Sequence, residues 1–221
     1  MFSDSYLLLI VVTLAIGLGA QWYVNHKLKV YSRYPDSTGL TGAQTAMNML
    51  AFYGIGNVEV RRGAEGQDFF DPRTNSITLS PSAFDGRSIT AAATACHEVG
   101  HACQYASNYT PMKIRGAIVP VANTASNLWI FLLIIGIFMN MVGLIWAAII
   151  MYAVVVLFQV APLPVEFNAS RRAMAYMSTI GMPPTEQKGA FDVLRACALT
   201  YVAAALTSVL QLLWLLGNNR D

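Results

Sequence analysis

The chain reads as a mainly α integral membrane protein, with about four transmembrane helices and a small α+β domain on the cytoplasmic side. Three observations predict this. Of its 221 residues, 55% are hydrophobic and 12% charged, about half the charged share of an ordinary soluble domain. The apolar residues gather into stretches long enough to cross a bilayer, and nearly all Lys and Arg lie between those stretches. The same composition excludes disorder, a collagen-like repeat and a disulfide scaffold: there is no glycine period, and three cysteines cannot pair into a framework. Cys96, Cys103 and Cys197 therefore read as reduced thiols, and a net charge of +2 gives no reason to expect a nucleic-acid partner.

Residues 1–24 form an N-terminal anchor. Residues 7–24 are apolar apart from Thr13 and Gln21, long enough to cross about 30 Å of hydrocarbon. The five residues at the start lack Lys and Arg, whereas Lys27, Lys29 and Arg33 follow the span. This favours an uncleaved anchor with an external N-terminus over a cleaved signal. Residues 117–160 hold the longest apolar stretch, roughly twice what one helix needs, so they fit a hairpin of two spans turning near Asn140. Pro120 and a polar cluster at 123–127 interrupt the first of these, and Gly136 and Gly143 are placed to let the two helices approach. A last span at 196–216 ends on Gly217-Asn218-Asn219, within a C-terminal segment of residues 196–221. Trp22, Tyr23 and Trp214 lie near span ends, where aromatic belts form.

Two segments remain, 25–116 and 161–195, and they carry every Lys and Arg except Arg220. The positive-inside rule places both in the cytoplasm and both termini outside. In the first, Thr41-Gly42-Ala43-Gln44 has capping-box spacing ahead of an apolar run that Gly54 is placed to end. Residues 58–61 alternate as a strand. Residues 67–70 and 76–79 flank the turn-forming Asp71-Pro72-Arg73-Thr74-Asn75, which suggests a small sheet in which 76–80 is either an edge strand that pairs with an extended peptide or an ordinary sheet strand. From Ser88 the chain is alanine-rich to Tyr105 without proline, a helix capped by Ser88 or Thr90.

That helix contains His97-Glu98-Val99-Gly100-His101. The H-E-x-x-H spacing puts two imidazoles on one helix face, where both reach one Zn²⁺, with Glu98 beside them as a general base. With three His in the chain, shuffled chains of this composition contain the pattern about once in a thousand. Catalytic zinc takes a third protein ligand and keeps a position for water. His26 abuts the first span, and positions 104 and 107, where a third histidine would fall, are Gln and Ser. A carboxylate downstream is the better source: Glu166, Glu186, Asp192 or Asp221. Glu166 is favoured, since two crossings return it to the side of His101, whereas Asp221 ends on the other side. Tyr105, Arg171 and Arg172 are candidates to stabilise an oxyanion, and Cys96 and Cys103 lie off the histidine face as packing residues.

His97-Glu98-Val99-Gly100-His101-Ala102, with the downstream Glu166-Phe167-Asn168-Ala169-Ser170-Arg171-Arg172-Ala173, resembles the bacterial membrane-bound neutral zinc metallopeptidases of the YugP-like group. Leu40-Thr41-Gly42-Ala43, Asp71-Pro72-Arg73, Val119-Pro120-Val121 and the block from Ala198 to Ala205 carry the resemblance over nearly the whole chain. It implies a zincin-like catalytic part and a glutamate-zincin endopeptidase with one catalytic Zn²⁺, His97, His101 and Glu166 as ligands, and Glu98 as base. It also implies a multi-pass protein of the bacterial inner membrane, its active site facing the cytoplasm, acting on peptide or protein substrates that include membrane proteins. Two positions depart from the family pattern: Asn168 stands where Asp is expected, and Phe69 where His is expected. Ser170 occupies the place where related glutamate-zincins carry an Asp supporting a zinc histidine, so no supporting role is assigned to Ser170 or Asn168. The alternatives are a zinc-stabilised, non-catalytic membrane scaffold or assembly factor, and an intramembrane protease of the site-2 type. A transporter is disfavoured because no span carries an acidic or basic residue in its interior.

Overall fold

The computed structural model describes residues 4–218; Arg220 and Asp221, which the topology and ligand arguments invoke, and Asn219 of the polar stop lie outside them. Eight helices and three strands follow in the order α1 (Asp4–Tyr31), α2 (Gly42–Phe52), β1 (Glu59–Arg62), β2 (Phe69–Asp71), β3 (Ser76–Leu79), α3 (Pro81–Phe84), α4 (Ile89–Ala106), α5 (Thr110–Phe138), α6 (Val142–Val160), α7 (Pro162–Thr179) and α8 (Pro184–Gly217). Among the described residues, four helical stretches are long and apolar enough to cross a membrane: Asp4–Tyr31, Thr110–Phe138, Val142–Thr179 and Pro184–Gly217. All four exceed the apolar cores read from sequence. Helices propagate through polar residues once nucleated, and hydropathy marks only their lipid-compatible part. Thus α5 runs on through Pro120 and the polar cluster at 123–127, and α8 begins well ahead of residue 196.

The chain divides into two compact units. The first comprises residues 1–21, 113–163 and 200–221. Its core gathers Ala125, Ile149, Tyr152, Val155, Val156 and Leu215. The hairpin turn falls where it was expected: Asn140 adopts a left-handed φ of 54°, a conformation asparagine tolerates. A Cβ on Gly136 would stand 2.8 Å from Ile145 Cγ1, so glycine permits the approach of α5 to α6. Gly143 has nothing within 4 Å and makes no such contribution.

The second unit, residues 22–112 and 164–199, holds the sheet and the H-E-x-x-H helix. Thr41 caps α2 with both hydrogen bonds of the capping box, its side chain accepting from the Gln44 N–H while the Gln44 side chain accepts from the Thr41 N–H. Gly54 follows the helix at φ 68°. The sheet order is β1-β3-β2, with β1 parallel and β2 antiparallel to β3. Residues 76–79 are therefore the central strand and not the edge, because β1 returns in parallel on their far side. Ile77 and Leu79 are fully buried, consistent with pairing on both sides. The free edge beside β3 on the turn side belongs to β2.

Ser88 caps α4 by accepting from the Ala91 N–H, and four alanines in its first two turns (Ala91, Ala92, Ala93, Ala95) combine high helix propensity with a slim profile. The core around it contains Met49, Leu50, Ile77, Leu79, Cys96, Val99, Cys103, Met177 and Val193. Cys96 and Cys103 are packing residues, as their position off the histidine face predicts. Gly100 faces α7 so closely that a Cβ would lie 2.6 Å from the Ala169 carbonyl oxygen. That contact sets the register of α7 against α4.

Candidate metal centre

Helical spacing does the positioning from both sides. His97 and His101 stand one turn apart on α4, their rings 4.7 Å apart between centroids and nearly perpendicular. On α7, Glu166, Ala169, Ser170 and Ala173 share one face at intervals of three and four residues. Ala169 and Ala173 are fully buried. Two small residues in the middle of that face let Glu166 and Ser170 reach across to α4.

Glu166 Oε2 lies 3.2 Å from His97 Nε2 and 3.7 Å from His101 Nε2. One donor atom from each of the three side chains falls within 4.8 Å of the others, so two imidazoles and a carboxylate converge as a group that could hold a metal ion. Two nitrogens and one oxygen are a donor set that zinc accepts, with a further position left for water. The structure therefore brings together His97, His101 and Glu166, the three residues selected from sequence. It does not bring in the alternatives: Glu186 accepts hydrogen bonds from Ser37, and Asp192 pairs with Lys27 at 2.7 Å and accepts from Tyr31. His26 stacks on Trp22.

Glu98 is 7% exposed and sits in the same buried surroundings. Burial pushes its carboxyl above the ordinary carboxylate range; His97 and His101 pull the other way, and the charges of Glu166 and Asp68 add to the rise. For His101 burial disfavours the charged form, yet its hydrogen bond to Glu166 and the charges of Glu98 and Glu166 outweigh it, so its pKa is raised. A buried carboxylate with a raised pKa is a group that holds a proton more readily than a free one.

The outward nitrogens of both imidazoles are also engaged. Ser170 Oγ lies 3.3 Å from His97 Nδ1, so Ser170 occupies the supporting position that sequence left unassigned. Gln104 Oε1 lies 3.0 Å from His101 Nδ1, and Asn168 reaches the centre through Gln104. Gln104 entered the sequence argument only as the place where a third histidine is missing. Its signal was nonetheless legible: a polar residue three positions after His101, on the buried side of an amphipathic helix. Among the oxyanion candidates, Arg172 donates to Asn168 at 2.9 Å, behind His101, and the Tyr105 ring packs on Phe70.

A cleft of about 390 Å³ lies beside the first turns of α4, lined by Thr90 and Thr94 together with Leu28, Ala83, Asp68 and Ser80. Thr94 precedes His97 by one turn, and Asp68 lies close enough to Glu98 for its charge to be felt there.

Fold and site together define a helical protein with membrane-spanning character and an H-E-x-x-H pair completed by a glutamate. Residues 6–219 match the family described as "putative neutral zinc metallopeptidase", and the chain belongs to that family. It is 39% identical over 222 residues, covering 98% of both chains, to a Bacillus subtilis (strain 168) protein named "putative membrane protease YugP". No solved structure matches the chain.

Proposed function

We propose that the protein is a membrane-embedded zinc endopeptidase in which His97, His101 and Glu166 hold one Zn²⁺ and Glu98 is the general base. The observation that carries this reading is the convergence of those three donors on one another, with a buried Glu98 next to His97 on the same helix. Bound zinc would supply Lewis acidity toward a peptide carbonyl and acidify water to a pKa of about 7. Glu98 accepts the proton of the attacking water and passes it to the leaving amine, for which its raised proton affinity suits it. Extended substrate fits the open edge of β2 by strand addition, with its side chains entering the cleft at Thr94 and Asp68. The intramembrane alternative is disfavoured because α4 is not among the helices apolar enough to span. The charge distribution supports an active site on the cytoplasmic side of a bacterial inner membrane protein, and we propose membrane proteins among its substrates.

The test is zinc content and casein cleavage measured on the same detergent-solubilised samples of the parent, Glu98→Gln and Glu166→Ala. The expected result is about one zinc per chain in the parent and Glu98→Gln, weak retention in Glu166→Ala, and cleavage by the parent alone. Zinc without cleavage in every sample would favour the scaffold. Full zinc in Glu166→Ala would move the third ligand elsewhere.

A further inference from the structure

Gln104 is fully buried, and all of its side-chain hydrogen-bonding groups are spoken for. Its Nε2 lies 2.7 Å from the Val165 carbonyl oxygen and 3.1 Å from Asn168 Oδ1; its Oε1 lies 3.0 Å from His101 Nδ1. The donor and acceptor senses of this chain follow from chemistry alone. Arg172 can only donate, so the Asn168 atom 2.9 Å from its Nε must be the oxygen. An oxygen there requires Gln104 to present its NH₂ group, and the Val165 carbonyl requires the same. The remaining Gln104 atom is then the acceptor, and His101 Nδ1 must carry the hydrogen that faces it. A neutral imidazole protonated at Nδ1 has its lone pair at Nε2, the atom that points to Glu166.

We infer that Gln104 is a positioning residue that locks His101 in the Nδ1–H tautomer with Nε2 presented to the metal, and that Arg172 and Asn168 set the orientation of its amide. The inference rests on the metal-centre reading above and extends it to residues that touch no metal. It also gives Asn168 a reason to present an oxygen acceptor, a role that an aspartate would fill equally well. His97 is held separately, by Ser170.

The test is the Zn²⁺ dissociation constant of the full chain in detergent, measured by competition with a chromophoric chelator. Gln104→Leu is expected to weaken binding about 10- to 100-fold, the usual cost of removing a partner of a metal-bound histidine. Asn168→Leu should weaken it less, and Asn168→Asp, which keeps the oxygen, should restore it. Adding Asn168→Leu to Gln104→Leu should cost nothing further, whereas adding Ser170→Ala should cost its full amount, because it acts on the other histidine. A merely structural role would not produce that pattern. Parent-like affinity in Gln104→Leu overturns the inference, and so does an Asn168→Asp variant as weak as Asn168→Leu. If Gln104→Leu does not fold, the Asn168 pair carries the test. Imidazole ¹⁵N shifts of the chelator-treated chain, at a pH where the ring is neutral, separate the two readings. A parent that binds no zinc but holds His101 as Nδ1–H, with that preference lost in Gln104→Leu, refutes only the metal centre. A parent with the opposite tautomer refutes the role of Gln104.

Discussion

The two units of the molecule bury opposite things. Every polar or charged side chain found buried among the described residues belongs to the unit of residues 22–112 and 164–199: Asp36, Thr45, Ser76, Ser80, Glu98, His101, Gln104 and Glu166. The other unit leaves large apolar side chains on its outside, among them Leu8, Leu18, Phe138, Ile150 and Leu157, each more than 60% exposed. Several of its polar side chains turn back on their own helices, as Thr13 does on Leu9 and Thr124 on Pro120, and Trp214 donates to Ser5. One unit is arranged for a solvent that offers no hydrogen bonds, so its backbone is satisfied within helices. The other uses buried hydrogen bonds to orient chemistry, which requires each buried polar group to have a partner.

The largest expected effect sharpens this contrast through activity. Glu98→Gln should lower kcat/KM for a casein-type substrate about 10²- to 10⁴-fold, while Phe138→Leu, at the most exposed apolar position of the span unit, should leave it unchanged. Next comes a pair that would break the contrast if the outer face of the spans met water. Ile150 is 64% exposed, so Ile150→Asp disturbs little packing, yet at mid-span it should cost about 2.5 to 3.5 kcal/mol of insertion free energy. Met47→Asp, on the exposed face of α2, should stay within about 0.5 kcal/mol. Glycosylation-reporter insertion for the first and thermal unfolding for the second read the two costs.

Helix contacts in each unit give a smaller effect. A methyl group on Gly100 meets the Ala169 carbonyl and one on Gly136 meets Ile145, so Gly100→Ala and Gly136→Ala should each destabilise by about 1 to 3 kcal/mol. Gly143→Ala, with open space around it, should be neutral or slightly stabilising. Thermal midpoints in detergent distinguish them, and only Gly100→Ala should also weaken zinc binding. The smallest effect is in pH dependence. The Glu98 carboxyl is raised in the folded chain by burial, so the folded state holds its proton more tightly than the unfolded state does. That difference costs nothing below the unfolded pKa and grows as pH rises through the folded one. Metal-free Glu98→Gln should therefore unfold at a higher temperature than the metal-free parent at neutral pH, with the gap closing on acidification toward pH 4; a gap that widens on acidification would contradict the burial of Glu98.

Much of the site was legible because its information is local. His97 and His101 declare themselves by i, i+4 spacing on a helix whose alanines and Ser88 cap are visible in the sequence, and Glu166 follows from eliminating the other downstream carboxylates. The hairpin turn at Asn140 and the Thr41 capping box were equally local. What spacing could not supply was anything that depends on which elements meet. Spacing left open whether the 76–79 strand is an edge, because strand order is set by long-range pairing, and β1, which covers it, is separated by a loop and another strand. Asp192 looked like a free carboxylate until α1 brought Lys27 to it.

By itself the sequence determined the chemistry available: a pair of imidazoles and a carboxylate on one helix turn, a reserve of downstream acids, and apolar stretches of bilayer length. Periodicity and composition are properties of neighbours along the chain, and these features need nothing else. Only the tertiary structure decided that α7 lies against Gly100, because that contact depends on the small residues of two segments some seventy positions apart finding each other. The same packing brings Ser170 to His97 and Asn168 to Gln104, which is itself hydrogen-bonded to His101. Hydrogen bonds demand positions correct to fractions of an ångström, and packing across the fold, not spacing along the chain, provides that precision.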